Sequence, residues 1–238
     1  MTAIKTISLC KKYKNKAAVD DLNLEIEKGK LFALLGVNGA GKTTTIKMLA
    51  CLSRPTSGDA FLLGDSIVTS PAAVKAKTDI STQETAVAKR LSVRKNLEFM
   101  ARIYGFSKAE AKEKAQKMIE RLSLEDKAEA RAATLSGGQQ RRLSIAMALI
   151  SEPEILFLDE PTLGLDVLAR RELWDVVRSL RGTTTIILTT HYMEEAQALA
   201  DRIGIMQDGR LRAVGTAEEL MKQTGCDRFE DAFVELAR

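Results

Sequence analysis

Leu31-Phe32-Ala33-Leu34-Leu35-Gly36-Val37-Asn38-Gly39-Ala40-Gly41-Lys42-Thr43-Thr44 is the stretch that decides the fold. Its first five residues have the pattern of a short buried strand ending at Gly36, and Thr43–Leu52 has the pattern of a helix. Between them, Gly36–Thr43 fits G-x-x-x-x-G-K-S/T, in the strand-to-helix setting that this phosphate-binding loop requires. Glycines let the backbone wrap closely around phosphate oxygens, so that successive N–H groups and the helix N-terminus face the anion. Gly36, Asn38, Gly39, Ala40, Gly41, Lys42, Thr43 and Thr44 are the candidate cradle. Lys42 would reach the β- and γ-phosphates of a nucleotide, and the Thr43 hydroxyl would ligate Mg²⁺. The bland reading, a Gly-rich turn followed by a chance Lys-Thr, is disfavoured by the correct flanks.

Outward from this loop the punctuation is that of an α/β protein. Leu22, Leu24 and Ile26 alternate as in a half-exposed strand, and Phe61–Leu63 reads as a strand bounded by Gly58 and Gly64. From Ser92 to Ser151 strand signals nearly vanish, and Ser107 with Glu110 forms a capping box that opens an amphipathic helix running to about Leu122. Buried-strand patterns resume at Ile155–Leu158 and Thr184–Thr189. Arg202–Met206 and Leu211–Val214 flank an Asp208-Gly209 turn, a hairpin signal. Thr216 with Glu219 caps a further helix, and Phe229, Phe233 and Leu236 give a terminal helix one apolar face. The pattern predicts an α/β core interrupted by an all-helical insertion.

Composition bounds the function. With 45% hydrophobic and 29% charged residues, the 238-residue chain can bury a proper core. No apolar run approaches the roughly 18 residues that span a bilayer, and Met1–Leu9 lacks the layout of a signal peptide. A membrane function would have to come through another chain. The net charge of +4 suits nucleotides or an anionic membrane surface, but is too weak to argue for nucleic acid. Cys10, Cys51 and Cys226 are isolated, the pattern of reduced thiols.

A second chemical signal is Ile155-Leu156-Phe157-Leu158-Asp159-Glu160. Four apolar residues make a buried strand, and carboxylates emerge at its C-terminal end, where open α/β sheets bind ligands. Asp159 would hold Mg²⁺, and Glu160 beside it could polarise the water that attacks a γ-phosphate. The bland reading is two solvated acids ending a strand before Pro161. No Asn/Thr-Lys-x-Asp segment is present, which speaks against guanine specificity.

The deciding segment for the family is Leu135-Ser136-Gly137-Gly138-Gln139, which opens a helix over Gln140–Ile150. Ser136 and the N–H groups of Gly137 and Gly138 offer a second anion-binding helix start. With Gln140-Arg141-Arg142 after it, the segment resembles the signature of the ABC (ATP-binding cassette) ATPases, and the resemblance extends over nearly the whole chain. It implies an α/β P-loop NTPase (RecA-like) core with an N-terminal antiparallel β subdomain and an inserted α-helical subdomain. In that scheme 1–83 and 152–215 form the core with the β subdomain, 84–151 the helical subdomain, and 216–238 short C-terminal helices. It also implies ATP and Mg²⁺, and two cassettes packed head to tail, so that Ser136, Gly137, Gly138 and Gln139 of one copy close over the ATP of the other. Tyr13 stands where the family stacks adenine on an aromatic ring. Gln83 matches the glutamine that senses Mg²⁺, although Ser81-Thr82 precede it where an apolar residue and a proline are usual. Leu163-Gly164-Leu165-Asp166 matches the loop that crosses the dimer and places Asp166 among the nucleotide-site candidates. His191, the only histidine, matches the γ-phosphate switch. Trp174 is expected to pack in a helix and carry no chemistry.

The resemblance further implies a second cassette, identical or paralogous, and a separate integral membrane permease, with the chain peripheral on the cytoplasmic face of the membrane and no nucleic-acid partner. Thr190-His191-Tyr192-Met193-Glu194-Glu195-Ala196 looks most like the export-type (ABC-2) ATPases. The alternative is a non-transport ABC ATPase of translation or DNA repair, which usually carries two cassettes or a long coiled coil. A catalytically silent module would be expected to lack Lys42, Glu160 or Ser136, and all three are present.

Overall fold

β3 (Leu31–Leu35) is buried at every residue because both faces of its sheet are covered. Its side chains alternate between cores, as period-two geometry demands. Phe32 and Leu34 pack with apolar residues of the antiparallel sheet, whereas Ala33 and Leu35 pack with the C-terminal helices. The computed structural model describes residues 1–14 and 16–237.

Two sheets result. β2 (Lys16–Glu27), β1 (Thr2–Tyr13), β4 (Ser57–Leu62) and β5 (Asp65–Ser66) form an antiparallel sheet in that order. The second sheet has the order β10-β9-β3-β8-β7-β6, from β10 (Arg210–Gly215), β9 (Arg202–Gln207), β8 (Thr185–Thr190), β7 (Ile155–Asp159) and β6 (Thr78–Ser81) around β3. All its neighbours are parallel except the β9–β10 hairpin. With Leu35 opposite Thr190 and Asp159 opposite Thr189, three strand ends finish level with one another.

The helices are α1 (Lys42–Leu49), α2 (Pro71–Lys77), α3 (Val93–Ile103), α4 (Lys108–Arg121), α5 (Gly137–Leu149), α6 (Val167–Ser179), α7 (Met193–Leu199), α8 (Ala217–Thr224) and α9 (Phe229–Leu236). Between β6 and β7 lie only α3, α4, α5 and short 3-10 turns, so the helical insertion expected from the sequence is present. The capping boxes at Ser107 and Thr216 both form. No helix among the described residues is long and apolar enough to cross a membrane.

Several boundaries differ from the sequence reading, each for a local reason. The signature helix begins at Gly137, three residues before Gln140, because Ser136 caps it in a capping box with Gln139. α1 ends at Leu49 rather than Leu52, as Cys51 takes φ of 55°. Leu63, with φ of 50°, belongs to the turn after β4. β1 had no signal at all: its register shifts repeatedly against β2, and Ser8 sits at φ 44°, so its buried residues do not alternate.

The helical insertion is tied to β6 by a polar contact. The Tyr104 hydroxyl, at the C-cap of α3, donates to Asp79 Oδ2, and Ser151 Oγ donates to the same oxygen at 3.2 Å. Burial pushes the Asp79 carboxyl up from the ordinary carboxylate range, and these hydrogen bonds pull it back. Tyr104→Phe should therefore destabilise the chain by about 1–2 kcal/mol. Urea denaturation read by circular dichroism would show it as a lower midpoint at unchanged slope.

Candidate functional site

The loop from β3 to α1 is held by packing as much as by turn geometry. Gly41 is the α1 N-cap with φ of 105°, and a Cβ there would overlap the Ala18 carbonyl oxygen. No side chain caps the helix, so the N–H groups of its first turn, which have no carbonyl within the helix, remain free to face an anion.

Lys42 is buried at 4% exposure. Its Nζ donates to the carbonyls of Gly36 (2.7 Å) and Val37 (3.1 Å) and stands 3.4 Å from Glu160 Oε1. Burial lowers its pKa, and the charges of Glu160 and Asp159 oppose that. Gly36 thus serves the site as the carbonyl that holds Lys42.

At the end of β7, Asp159 Oδ1 accepts from Thr43 Oγ1 (2.9 Å) and from Thr189 Oγ1 (2.6 Å). Glu160 occupies the left-handed region at φ 45°, a strained conformation for a side chain of its size. Its N–H is held by Thr189, through the carbonyl at 3.1 Å and the hydroxyl at 3.0 Å. The consequence is geometric: Glu160 Oε2 lies 3.1 Å from His191 Nδ1 while Oε1 faces Lys42. A buried ammonium, a carboxylate and an imidazole form one continuous line.

This line borders a cleft of about 510 Å³ whose walls include Tyr13, Asn38, Gly39, Ala40, Gly41, Lys42, Thr43, Thr44, Gln83, Glu160 and His191. Tyr13 stands at the rim, half exposed, with Lys11 Nζ 5.1 Å from its ring centre. Lys16 and Ala18 complete the wall with Leu163, the first residue of the Leu163–Asp166 segment. Thr43 and Asp159 set two hard oxygens side by side at the base. Among the described residues no cluster of three or more His, Cys, Asp or Glu forms a protein cage. Mg²⁺ suits such a place, because it binds one or two protein oxygens and fills the rest of its shell with phosphate and water.

The remaining candidates lie outside this cleft. Gln83 also borders a second groove, shared with Gly137, Gln140, Arg141 and Gly164. Ser136 Oγ accepts from Gln139 N–H at 3.3 Å, and Gln139 Oε1 accepts from Ser136 N–H at 3.0 Å. Gly138 sits in the same first turn of α5, against Ala169 of α6. Asp166 is the N-cap of α6, its carboxylate accepting from Ala169 N–H at 2.9 Å. The structure therefore brings together the phosphate loop, Asp159, Glu160, His191, Tyr13 and Gln83, whereas Ser136, Gly137, Gly138, Gln139 and Asp166 do not line that cleft, Gly137 meeting Gln83 only in the second groove.

Sequence reasoning used Arg141 only as part of the signature and missed its buried contacts. It is buried at 5% exposure and donates to the carbonyls of Thr82 (2.6 Å) and Gln83. Ser81 and Ser144 share a buried hydrogen bond of 3.0 Å. The unusual Ser81-Thr82 before Gln83 is thus fastened to α5 by polar contacts. The spacing of Arg141, Ser144 and Ala148 on the inner face of α5 was the available signal.

Comparison with known proteins agrees with this geometry. The family model described as ABC transporter matches residues 19–163. The daunorubicin resistance ATP-binding protein DrrA3 of Streptomyces coeruleorubidus is 44% identical over 230 residues, covering 96% of this chain and 73% of that protein. The Nod factor export ATP-binding protein I of Cupriavidus metallidurans is 41% identical, covering 97% and 77%. A dimeric ATP-binding cassette solved in a post-hydrolysis state with ADP and Pi superposes with a TM-score of 0.81 at 25% identity, covering 90% of this chain and 98% of the other.

Gly41→Ala tests the loop. The added Cβ meets the Ala18 carbonyl in a left-handed conformation that alone costs about 1–2 kcal/mol. MgATP affinity by isothermal calorimetry should fall at least about tenfold for each 1.4 kcal/mol of strain taken up at the site.

Proposed function

This chain belongs to the ABC transporter family, and from that premise we propose that it is the ATPase subunit that drives an exporter, working as a pair of cassettes on the cytoplasmic face of a membrane. It is an ATP-binding and ATP-hydrolysing cassette of the α/β P-loop type. The observation that carries the mechanism is the line from Lys42 through Glu160 to His191 at the mouth of the phosphate loop.

The proposed roles follow from that geometry. N–H groups from Gly39 to Thr44 and the Lys42 ammonium hold the triphosphate, with Tyr13 stacking on the base at the rim. Base–aromatic stacking is worth about 1–3 kcal/mol. Glu160, its backbone fixed by Thr189, accepts the proton of the attacking water, a contribution of about 10²–10⁴-fold. His191 holds the Glu160 carboxylate by one nitrogen and turns the other side of its ring toward the γ-phosphate. Thr43, Asp159 and Gln83 are the groups that would hold Mg²⁺, which neutralises charge developing on the β- and γ-phosphates.

Ser136, Gly137, Gly138 and Gln139 lie off the cleft, which supports their use by a second copy, the neighbour's α5 N-terminus closing over ATP. Export is supported by the relatives named for drug resistance and Nod factor export, of which the chain spans about three quarters. With no membrane-spanning helix among the described residues, the passage itself is assigned to a separate permease. In this reading 84–151 is the helical subdomain, 1–83 with 152–215 the core, and 216–238 the C-terminal helices.

Two experiments test the proposal. Glu160→Gln keeps the shape but cannot accept the proton, so ATP should bind, turnover should fall by about two orders of magnitude or more, and size-exclusion chromatography in MgATP should show a trapped dimer. A variant that hydrolyses at the parent rate would refute the assigned base. Lys42→Ala and Ser136→Arg should each be inactive alone, yet mixing them should restore hydrolysis at the one site that joins an intact loop to an intact signature. Cross-linking must first confirm heterodimers, and heterodimers without recovered activity would count against the shared site.

A further inference from the structure

Behind the Glu160–His191 pair lies a buried acid that the hydrolytic roles leave unused. Glu195, in the first turn of α7, is fully buried, and among the described residues only Asp159 and Glu160 are other buried acids. Its Oε1 accepts from the Trp174 indole Nε1 of α6 at 3.1 Å. Thr162, two residues after Glu160, and Thr190, immediately before His191, lie beside the same carboxyl, and Arg170 of α6 adds its charge. The Arg170 guanidinium lies 4.6 Å from the centre of the Tyr192 ring, which in turn lies 4.1 Å from the His191 ring. One carboxyl therefore faces the segment that carries Glu160, the segment that carries His191, and α6.

Burial pushes the Glu195 carboxyl up from the ordinary range, and Thr190, the Trp174 indole and the Arg170 charge oppose it. Thr162 Oγ1, Arg170 Nε and Glu195 Oε2 are buried without a hydrogen-bond partner, a rare condition for native polar groups. An apolar side chain of similar volume would fill the space without that cost. What the carboxyl supplies is a fixed geometry at the junction.

We propose that Glu195 is a positioning residue for hydrolysis: it seats the start of α7 against α6 and the turn after Glu160, and so sets the 3.1 Å contact between His191 and Glu160. The inference rests on the reading of Glu160 and His191 as the hydrolytic pair.

The test is single-turnover hydrolysis of MgATP, with protein in excess, together with ATP affinity and thermal melting. Glu195→Leu, Glu195→Gln and Trp174→Phe are measured alone, and Glu195→Leu also with His191→Ala. Glu195→Leu should melt and bind ATP as the parent does, while hydrolysis falls about ten- to a hundredfold, the cost of a small misplacement of reacting groups. Glu195→Gln, which still accepts from the indole, should recover most of that loss. In the His191→Ala background, Glu195→Leu should add no further loss, because its effect runs through the imidazole. Parent-rate hydrolysis by Glu195→Leu, or losses that add in the double variant, would overturn the proposal. So would a rate that falls only in step with the melting temperature. If Glu195→Leu does not fold, Trp174→Phe decides, and a parent rate there is equally fatal. His191→Ala hydrolysing at the parent rate would instead remove the hydrolytic pair, and this inference with it.

Discussion

Parallel hydrogen bonding of β8 to β3 on one side and to β7 on the other fixes where every reacting group of this chain can stand. Each strand delivers its cargo at its C-terminal end: β3 the phosphate loop, β7 the two acids, β8 the histidine. A parallel sheet places these ends level because its register is set by evenly spaced backbone bonds, with no side chain involved. Thr189 uses that register twice. Its backbone carbonyl and hydroxyl hold Glu160, and its hydroxyl also holds Asp159. The site is precise because its supports, a carbonyl and a hydroxyl of one residue, belong to a buried strand.

The arrangement is costly by itself. A buried ammonium and two buried acids, one of them in a left-handed conformation, sit within a few ångströms of one another, where isolated charge is strongly disfavoured. Mutual pairing offsets part of that cost, and the two surrounding apolar cores hold the rest in place. The strained backbone at Glu160 aims its carboxylate between Lys42 and His191, where a relaxed residue would point elsewhere.

Much of this was legible from residue order. A strand, a glycine loop and a helix have distinct periodicities, and Leu31–Thr44 carries all three in sequence; Ile155–Glu160 and Ser136–Gln139 are equally compact signals. What escaped detection depends on three dimensions. β1 is hidden because bulges break its alternation, and Arg141 because a helical arginine looks solvated until its carbonyl partners, some sixty residues away in the chain, fold against it. The capping of α6 by Asp166 was likewise not legible, since capping a helix and touching a ligand call for the same residue type. Glu194 and Glu195 are adjacent acids in the first turn of α7, and only packing against α6 makes the second of them interior.

Trp174 is the sole tryptophan of the chain, and its indole nitrogen is bonded to the buried carboxylate of α7. The protein therefore carries a native fluorophore at the seam between α6, which follows the Leu163–Asp166 loop, and α7, which follows the histidine. Any sliding of one helix past the other alters the polarity around a single emitting ring. Its intrinsic emission is an optical readout of that seam in real time, with no label attached.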